Sequence, residues 1–331
     1  MSALAMIQKV QRLQKMQATL RGAPKPTRSL RLTDLGTLGF VACLSPELAE
    51  PYWLADVAEA FDRTETERQR LLLSVPPQHG KTKLILHGIV RLLLRHPSWP
   101  IVYATYSQDR ANDVSLECQD LAKLAGIELR QDASSRRRWL TTKGGGIHFT
   151  GVSGGLTGAP ARILIIDDPH KNRVEAESVA HRNEVHSFMS STARTRIHPA
   201  TSIVVVHTRW HEDDCIGRLM RQRLPSGGLA YRTINKPALD EVGKALWPEE
   251  RPAWFLEEQR AVLTDYDWFS LYMGAPRPPG GALFRDVQYY DELPKTFRVG
   301  IGFDLAYTAK THADYSSAVV LAESEDRKSV V

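Results

Sequence analysis

Cysteine is scarce in this 331-residue chain: Cys43, Cys118 and Cys215 are odd in number, far apart and form no CxxC pair. That excludes a disulfide scaffold, offers no structural zinc pattern and suits a reducing compartment. No apolar run approaches the roughly 20 residues of a membrane span. The N-terminus also lacks the basic head, apolar centre and small-residue cleavage site of a signal peptide. The expectation is a soluble chain that is not exported and has no membrane partner. Internal repeats are missing too. A composition of 42% hydrophobic and 24% charged residues excludes disorder and collagen, and the length allows two domains.

Acid is absent where base is dense. Residues 1–33 carry Lys9, Arg12, Lys15, Arg21, Lys25, Arg28 and Arg31 with no Asp or Glu, so the formal charge of +5 resides entirely in this segment. Leu4, Ile7 and Leu13 roughly keep helical spacing until Gly22, Pro24 and Pro26 end the pattern. Both a solvated basic helix and an attraction to nucleic acid or an acidic partner fit that pattern.

From about residue 70 short apolar runs alternate with helical patterns. Residues 71–75 predict a buried strand and 81–95 a helix with Leu84, Ile85, Ile89, Leu92 and Leu93 on its inner side, stopped by Pro97. Residues 101–105 predict the next strand and 107–124, closed by Gly126, the next helix. Short β-branched runs follow at 163–166 and 202–207. Strands alternating with helices imply βαβ units, hence an α/β fold with a mostly parallel sheet flanked by helices. At 275–281 the sequence Ala-Pro-Arg-Pro-Pro-Gly-Gly can hold neither a helix nor a central strand. It reads as a linker, after which 298–305 alternates and 316–323 is apolar, as in a new sheet. The expected organisation is a basic segment 1–33, an α/β domain 34–270, a linker 271–297 and a second domain 298–331. About 34 residues cannot bury a core of their own, so that second domain is expected to be incomplete.

Chemistry concentrates between the first strand and its helix, at Val75-Pro76-Pro77-Gln78-His79-Gly80-Lys81-Thr82. Phosphate oxygens need convergent N–H donors, and a loop opening into a helix N-terminus supplies them together with the positive dipole end. Gln78, His79 and Gly80 form the loop, Lys81 would reach the β- and γ-phosphates of ATP, and Thr82 would offer its hydroxyl to Mg²⁺. Val75 stands where the motif usually has its first glycine. Downstream, Ile163 to Ile166 runs into Asp167-Asp168-Pro169, two carboxylates at the C-terminal end of a strand, where α/β sheets present groups to ligands. Asp167 is placed to hold Mg²⁺, usually through water, and Asp168 to orient and deprotonate an attacking water. A third strand end, Thr208-Arg209, could sense the γ-phosphate and transmit its loss. The following His211-Glu212-Asp213-Asp214 invites a metal reading, but consecutive residues on a helix point in different directions, and acids near a helix start favour its dipole.

Taken in order, several of these motifs resemble those of the large terminase subunit of tailed bacteriophages. The residues that carry the likeness are Pro76 to Thr82, Tyr103 to Ser107, Trp139 before Gly144 to Gly146, Gly154 to Gly158, Ile165 to Pro169 and Thr208 to Asp214, over about residues 40–322. The resemblance implies a P-loop ATPase domain followed by an RNase H-like nuclease, driving double-stranded DNA into a procapsid. It also implies a homo-oligomeric ring on the portal protein, a small terminase subunit as partner and the cytoplasm of an infected bacterium as location. It assigns Lys81, Asp168 and Arg209 as catalytic, Gln78 to Thr82 and Thr208 as ATP-binding, and Thr82 and Asp167 as Mg²⁺-binding. Asp168 falls where many terminases have a catalytic Glu. Gly302-Phe303-Asp304 resembles the first nuclease metal site, with Asp314 as a weaker candidate. Two-metal hydrolysis needs several carboxylates around ions roughly 3.5 to 4 Å apart, so the expectation is little metal binding at Asp304 and no DNA cleavage. The family commonly has an arginine near the Thr157-Gly158 turn; Ala159 sits there, Arg162 is close, Arg136 to Arg138 are alternatives, and none is assigned.

Other readings explain less. Gly151-Val152-Ser153-Gly154-Gly155 satisfies Gly-x-Ser-x-Gly, but a nucleophile turn must join a strand to a helix, and Leu156 to Pro160 is a poor helix start. A serine hydrolase would also leave Lys81 and Asp167 unexplained. A two-lobed helicase needs a second motor lobe of its own. A non-enzymatic ATP-binding assembly protein would not turn over ATP through Lys81.

Overall fold

The computed structural model describes residues 31–48, 51–156, 161–277, 297–304, 317–324 and 329–330. The basic residues 1–30, the Thr157-Gly158 turn with Ala159, most of the expected linker and Asp314 lie outside the described residues. Two compact units divide the chain at 281/282.

The first unit is built on an eight-stranded sheet. Its strands are β1 (Arg70–Ser74), β2 (Pro100–Thr105), β3 (Leu129–Ser134), β4 (Arg138–Thr141), β5 (Gly146–Gly151), β6 (Ala161–Asp167), β7 (Ile197–His207) and β8 (Arg232–Asn235). The spatial order is β3-β4-β5-β2-β6-β7-β1-β8. From β5 to β8 every neighbouring pair is parallel, and only β3-β4-β5 is antiparallel. The described helices of this unit include α1 (Thr37–Leu44), α2 (Ala55–Asp62), α3 (Lys81–Arg95), α4 (Gln108–Leu124), α5 (Arg173–Glu177), α6 (Val179–Ser187), α7 (Cys215–Met220) and α8 (Ala253–Val262).

Strand periodicity sorts the core into two layers. Leu71, Leu73, Ile101, Tyr103, Ile163, Ile165, Val204 and Val206 face one cluster with residues of α1 to α4. Their neighbours Leu72, Val102, Ala104, Leu164, Ile166, Ile203 and Val205 face the other, with Val185 of α6 and Ile216 and Leu219 of α7. A central parallel sheet is covered on both sides, which is why these strands read as unbroken apolar runs rather than alternating ones. α3 is buried well beyond its expected inner side, through Leu86, Gly88, Val90 and Arg91, because α1, α2 and α4 all pack against it. Arg91 is accommodated there by pairing with Asp62 (2.8 Å) and Glu65 (3.1 Å). Ser107 caps α4, its hydroxyl accepting from the Arg110 N–H at 3.2 Å.

The sequence reading and the structure part at the periphery. β3 has the polar sequence Leu-Arg-Gln-Asp-Ala-Ser, and β7 begins with the exposed His198, Pro199 and Ala200. Neither stretch carries a continuous apolar signal, because most of its side chains face water. A strand does precede Ser153, but the described residues 152–156 form only turns and bends.

The second unit contains an antiparallel sheet of β9 (Phe297–Asp304), β10 (Ser317–Ser324) and β11 (Ser329–Val330), in the order β11-β10-β9. Asp304, the expected nuclease carboxylate, ends β9 opposite Ser317. Among the described helices none is long and apolar enough to cross a membrane.

Candidate active site

The loop after β1 closes on a left-handed residue. Gly80, the N-cap of α3, has φ 85° and open space where a Cβ would sit, and Gln78 has φ 58°. A β-carbon is disfavoured at such φ, which accounts for the glycine. The chain enters α3 directly, and the free N–H groups of the first turn form an anion-favouring end. Val75 replaces the usual first glycine without opening the loop. It is 1% exposed, its carbonyl accepts from the Thr208 hydroxyl at 3.2 Å, and its N–H donates to the His207 carbonyl at 3.4 Å. The start of the loop is thus tied to the end of β7.

Parallel pairing sets the ends of β1, β6 and β7 side by side, and the expected residues meet there. The Lys81 ammonium donates to Thr208 Oγ1 at 2.7 Å and ion-pairs with Asp168 Oδ2 at 3.0 Å. The Thr82 hydroxyl donates to Asp167 Oδ2 at 2.7 Å, and the Tyr103 hydroxyl donates to the same oxygen. Asp168 has φ 45°, and its Oδ1 accepts from the Thr208 N–H at 2.9 Å and from His207 Nδ1 at 3.1 Å. A non-glycine residue in this conformation stores strain, a recurring feature of functional sites.

The two neighbouring carboxyls are driven in opposite directions. Burial and the adjacent Asp168 charge raise Asp167 from 3.8 to about 6, against the pull of Lys81 and the hydrogen bonds from Tyr103 and Thr82. Asp168 is also pushed up by burial, but the Lys81 ammonium and the His207 hydrogen bond outweigh this and hold it well below the usual carboxylate range. Asp167 is 3% exposed, and its Oδ1 has no hydrogen-bond partner. An anionic oxygen left unpaired in a buried position is costly unless a cation shares it. Together with the Thr82 hydroxyl, this donor set fits a hard divalent ion that takes oxygen ligands and keeps several waters. No cluster of three or more His, Cys, Asp or Glu suited to a metal exists among the described residues. His211 to Asp214 accordingly form no such cluster; Asp214 caps α7 instead, accepting from the Gly217 N–H at 2.9 Å.

Three of the expected residues have protein partners of their own. Arg209 is 6% exposed, and its guanidinium is taken up by Asp214, with Nε at 2.8 and 2.9 Å from the two carboxylate oxygens and Nη2 at 3.3 Å from the His211 carbonyl. Among the described residues no hydrogen bond or ion pair joins it to Lys81, Asp167 or Asp168. A buried guanidinium requires a carboxylate, and the cap of α7 is the nearest one. His79 points inward: its ring is fully buried with Nδ1 2.8 Å from the Pro77 carbonyl, its own carbonyl accepts from Trp53 Nε1 at 3.1 Å, and burial lowers its pKa. Its imidazole therefore braces the loop from within. Gln78 accepts from Arg251 at 2.6 Å through Oε1.

Tyr103 and His207 were not foreseen as site residues. Each is a polar side chain inside an apolar strand, which is a weak signal without knowledge of the neighbouring strand.

No protein-family profile and no curated protein matches the sequence. Among solved structures, the HK97 bacteriophage large terminase aligns with a TM-score of 0.51 at 16% identity, covering 88% of this chain and 65% of that one. The fold is that of a phage large terminase. The large terminase ATPase domain of Thermus phage P74-26 aligns at a TM-score of 0.45 and 16% identity, over 62% of this chain and 88% of that one. The large terminase of a thermophilic bacteriophage, solved in complex with ADP, aligns at 0.42 and 10%, over 85% and 65%. This chain spans 65% of the length of the HK97 protein, and the likeness at such identity concerns architecture.

Proposed function

We propose that this chain is the ATPase of a DNA-packaging motor, the large terminase subunit of a tailed phage, with ATP and Mg²⁺ as cofactors. The observation that carries the reading is the convergence of Lys81, the Thr82–Asp167 pair and Asp168 at three adjacent strand ends. Lys81 is held by Asp168 and Thr208, so a triphosphate entering the loop would exchange those contacts for phosphate oxygens. Release of Lys81 would leave Asp168 Oδ2 free to accept a proton from water, while its Oδ1 stays held by Thr208 and His207. Thr82 and Asp167 would hold Mg²⁺, which would supply positive charge against the charge that develops during phosphoryl transfer. Thr208 touches both Lys81 and Asp168, so it would register whether Lys81 is on phosphate. Arg209 would act one step further back, by fixing the start of α7 through Asp214.

The load in this reading is double-stranded DNA, gripped through phosphates and therefore salt-sensitive and indifferent to sequence. The portal protein, a small terminase subunit and further copies in a ring complete the assembly. Asp304, at the end of β9, is proposed as the first metal carboxylate of a nuclease unit.

Phosphate release by the purified chain with Mg²⁺ and ATP tests the central reading. Lys81→Ala should abolish turnover and leave the circular dichroism spectrum unchanged. Equal turnover in parent and variant would refute the site.

A further inference from the structure

His207 is a polar side chain with no place in the phosphate loop, yet it is completely buried between two carboxylates. On one side its Nδ1 lies 3.1 Å from Asp168 Oδ1. On the other its Nε2 lies 4.0 Å from Oδ2 of Asp214, which is itself fully buried. A carboxylate can only accept, so the contact with Asp168 requires the hydrogen on Nδ1, and Nε2 has no hydrogen-bond partner of its own. The ring is also confined by His170, whose centroid lies 5.4 Å away. His170 is 1% exposed, and burial and the neighbouring His207 lower its pKa to about 3, so the packing face it offers is neutral.

We infer that His207 is the positioning residue for Asp168. The inference rests on the ATPase reading above. Asp168 adopts a left-handed backbone that an aspartate does not favour, and two donors from the end of β7 keep its Oδ1 in place: the Thr208 N–H and His207 Nδ1. The backbone donor fixes where the oxygen lies. The imidazole, arriving as a second donor, fixes the rotation of the carboxylate and hence the direction of Oδ2. That second oxygen is the one paired with Lys81, and the one left facing the nucleotide when Lys81 departs. Without His207, the freed carboxylate could turn about its remaining hydrogen bond, and the basic oxygen would be misdirected. Binding of ATP would not suffer, because among the described residues the His207 ring has no hydrogen bond or ion pair with the loop 75–82. On the far side, Asp214 accepts from Gly217 and binds Arg209, so the ring is braced by a rigid helix start rather than by solvent.

The test compares three substitutions in the whole chain by steady-state phosphate release and by titration with a fluorescent ATP analogue. His207→Leu keeps the volume and removes both nitrogens; kcat should fall by about 10- to 100-fold, the effect of a misaimed catalytic group, with analogue affinity within about twofold of the parent. His207→Asn places an amide N–H near the position of Nδ1 and should recover most of kcat, whereas His207→Gln, which reaches the position of Nε2, should not. The comparison of Asn with Gln stands even where Leu impairs folding. Equal kcat in the Asn and Gln variants, an undiminished kcat in Leu, or a matched loss of affinity and kcat would overturn the assignment. A parent chain that turns over no ATP would remove the ATPase reading itself, which is a different outcome from an active parent indifferent to His207.

Discussion

Replacing Asp167 with Asn should make the protein more stable and inactive at once. The carboxyl is 3% exposed, has one oxygen without a partner and sits beside a second carboxylate, so its charged form is disfavoured in the folded state. Its value rises from 3.8 to about 6 on folding. Between those pH values the folded chain holds the proton more tightly than the unfolded chain, so stability declines as pH rises through this window and the deficit is complete above it. The full displacement corresponds to up to about 3 kcal/mol. A neutral amide of the same shape escapes this penalty. Urea unfolding followed by tryptophan fluorescence, without divalent ions, should therefore show Asp167→Asn ahead of the parent at pH 7.5 by up to that amount. The two curves should converge towards pH 4, where the parent carboxyl is already protonated. Adding Mg²⁺ and ATP should stabilise the parent and leave the variant unmoved, and phosphate release should be lost. A variant less stable than the parent at pH 7.5 would mean that Asp167 is a structural acid satisfied by Thr82 and Tyr103, and the metal argument would fail.

Two further outcomes test the framework around the site. Gly88→Ala should cost about 1 to 3 kcal/mol, because the new methyl would clash with the ring of Phe61 inside the packed layer between α2 and α3; chemical denaturation measures it, and a neutral result would show that Phe61 has room to move. Asp214→Ala should destabilise by about 3 to 5 kcal/mol, since it removes the cap of α7 and leaves the Arg209 guanidinium buried without its counter-ion. A loss below about 1 kcal/mol in the same assay would indicate that Arg209 finds another partner.

Legibility followed burial. The span of α3 agrees with the expected 81–95, and β1, β2, β6 and β7 contain or nearly match their expected apolar runs, because these elements lie in the middle of a covered sheet and their residues answer to one environment. β3, β4 and β8 were not expected, and the first half of β7 was not either. β3 and the first half of β7 are polar or exposed, β4 is only four residues long, and β8 is fixed by pairing with β1, remote in sequence. Lys81, Thr82, Asp167, Asp168 and Thr208 could be nominated from their places at strand ends, since a parallel sheet presents those ends on one edge. Tyr103 and His207 could not, since a hydroxyl or imidazole within an apolar strand acquires its meaning only from the neighbour across the sheet.

By itself the sequence determined the alternation of strand and helix, the glycine-lysine loop after β1 and the carboxylates at the end of β6, because those depend on local periodicity and on residue types at fixed spacing. The tertiary structure alone decided which groups touch. It sends Arg209 to Asp214, turns His79 inward and sets His207 against Asp168, because in a buried site each charge or donor takes the partner within hydrogen-bond reach, and that reach is set by strand order and not by distance along the chain.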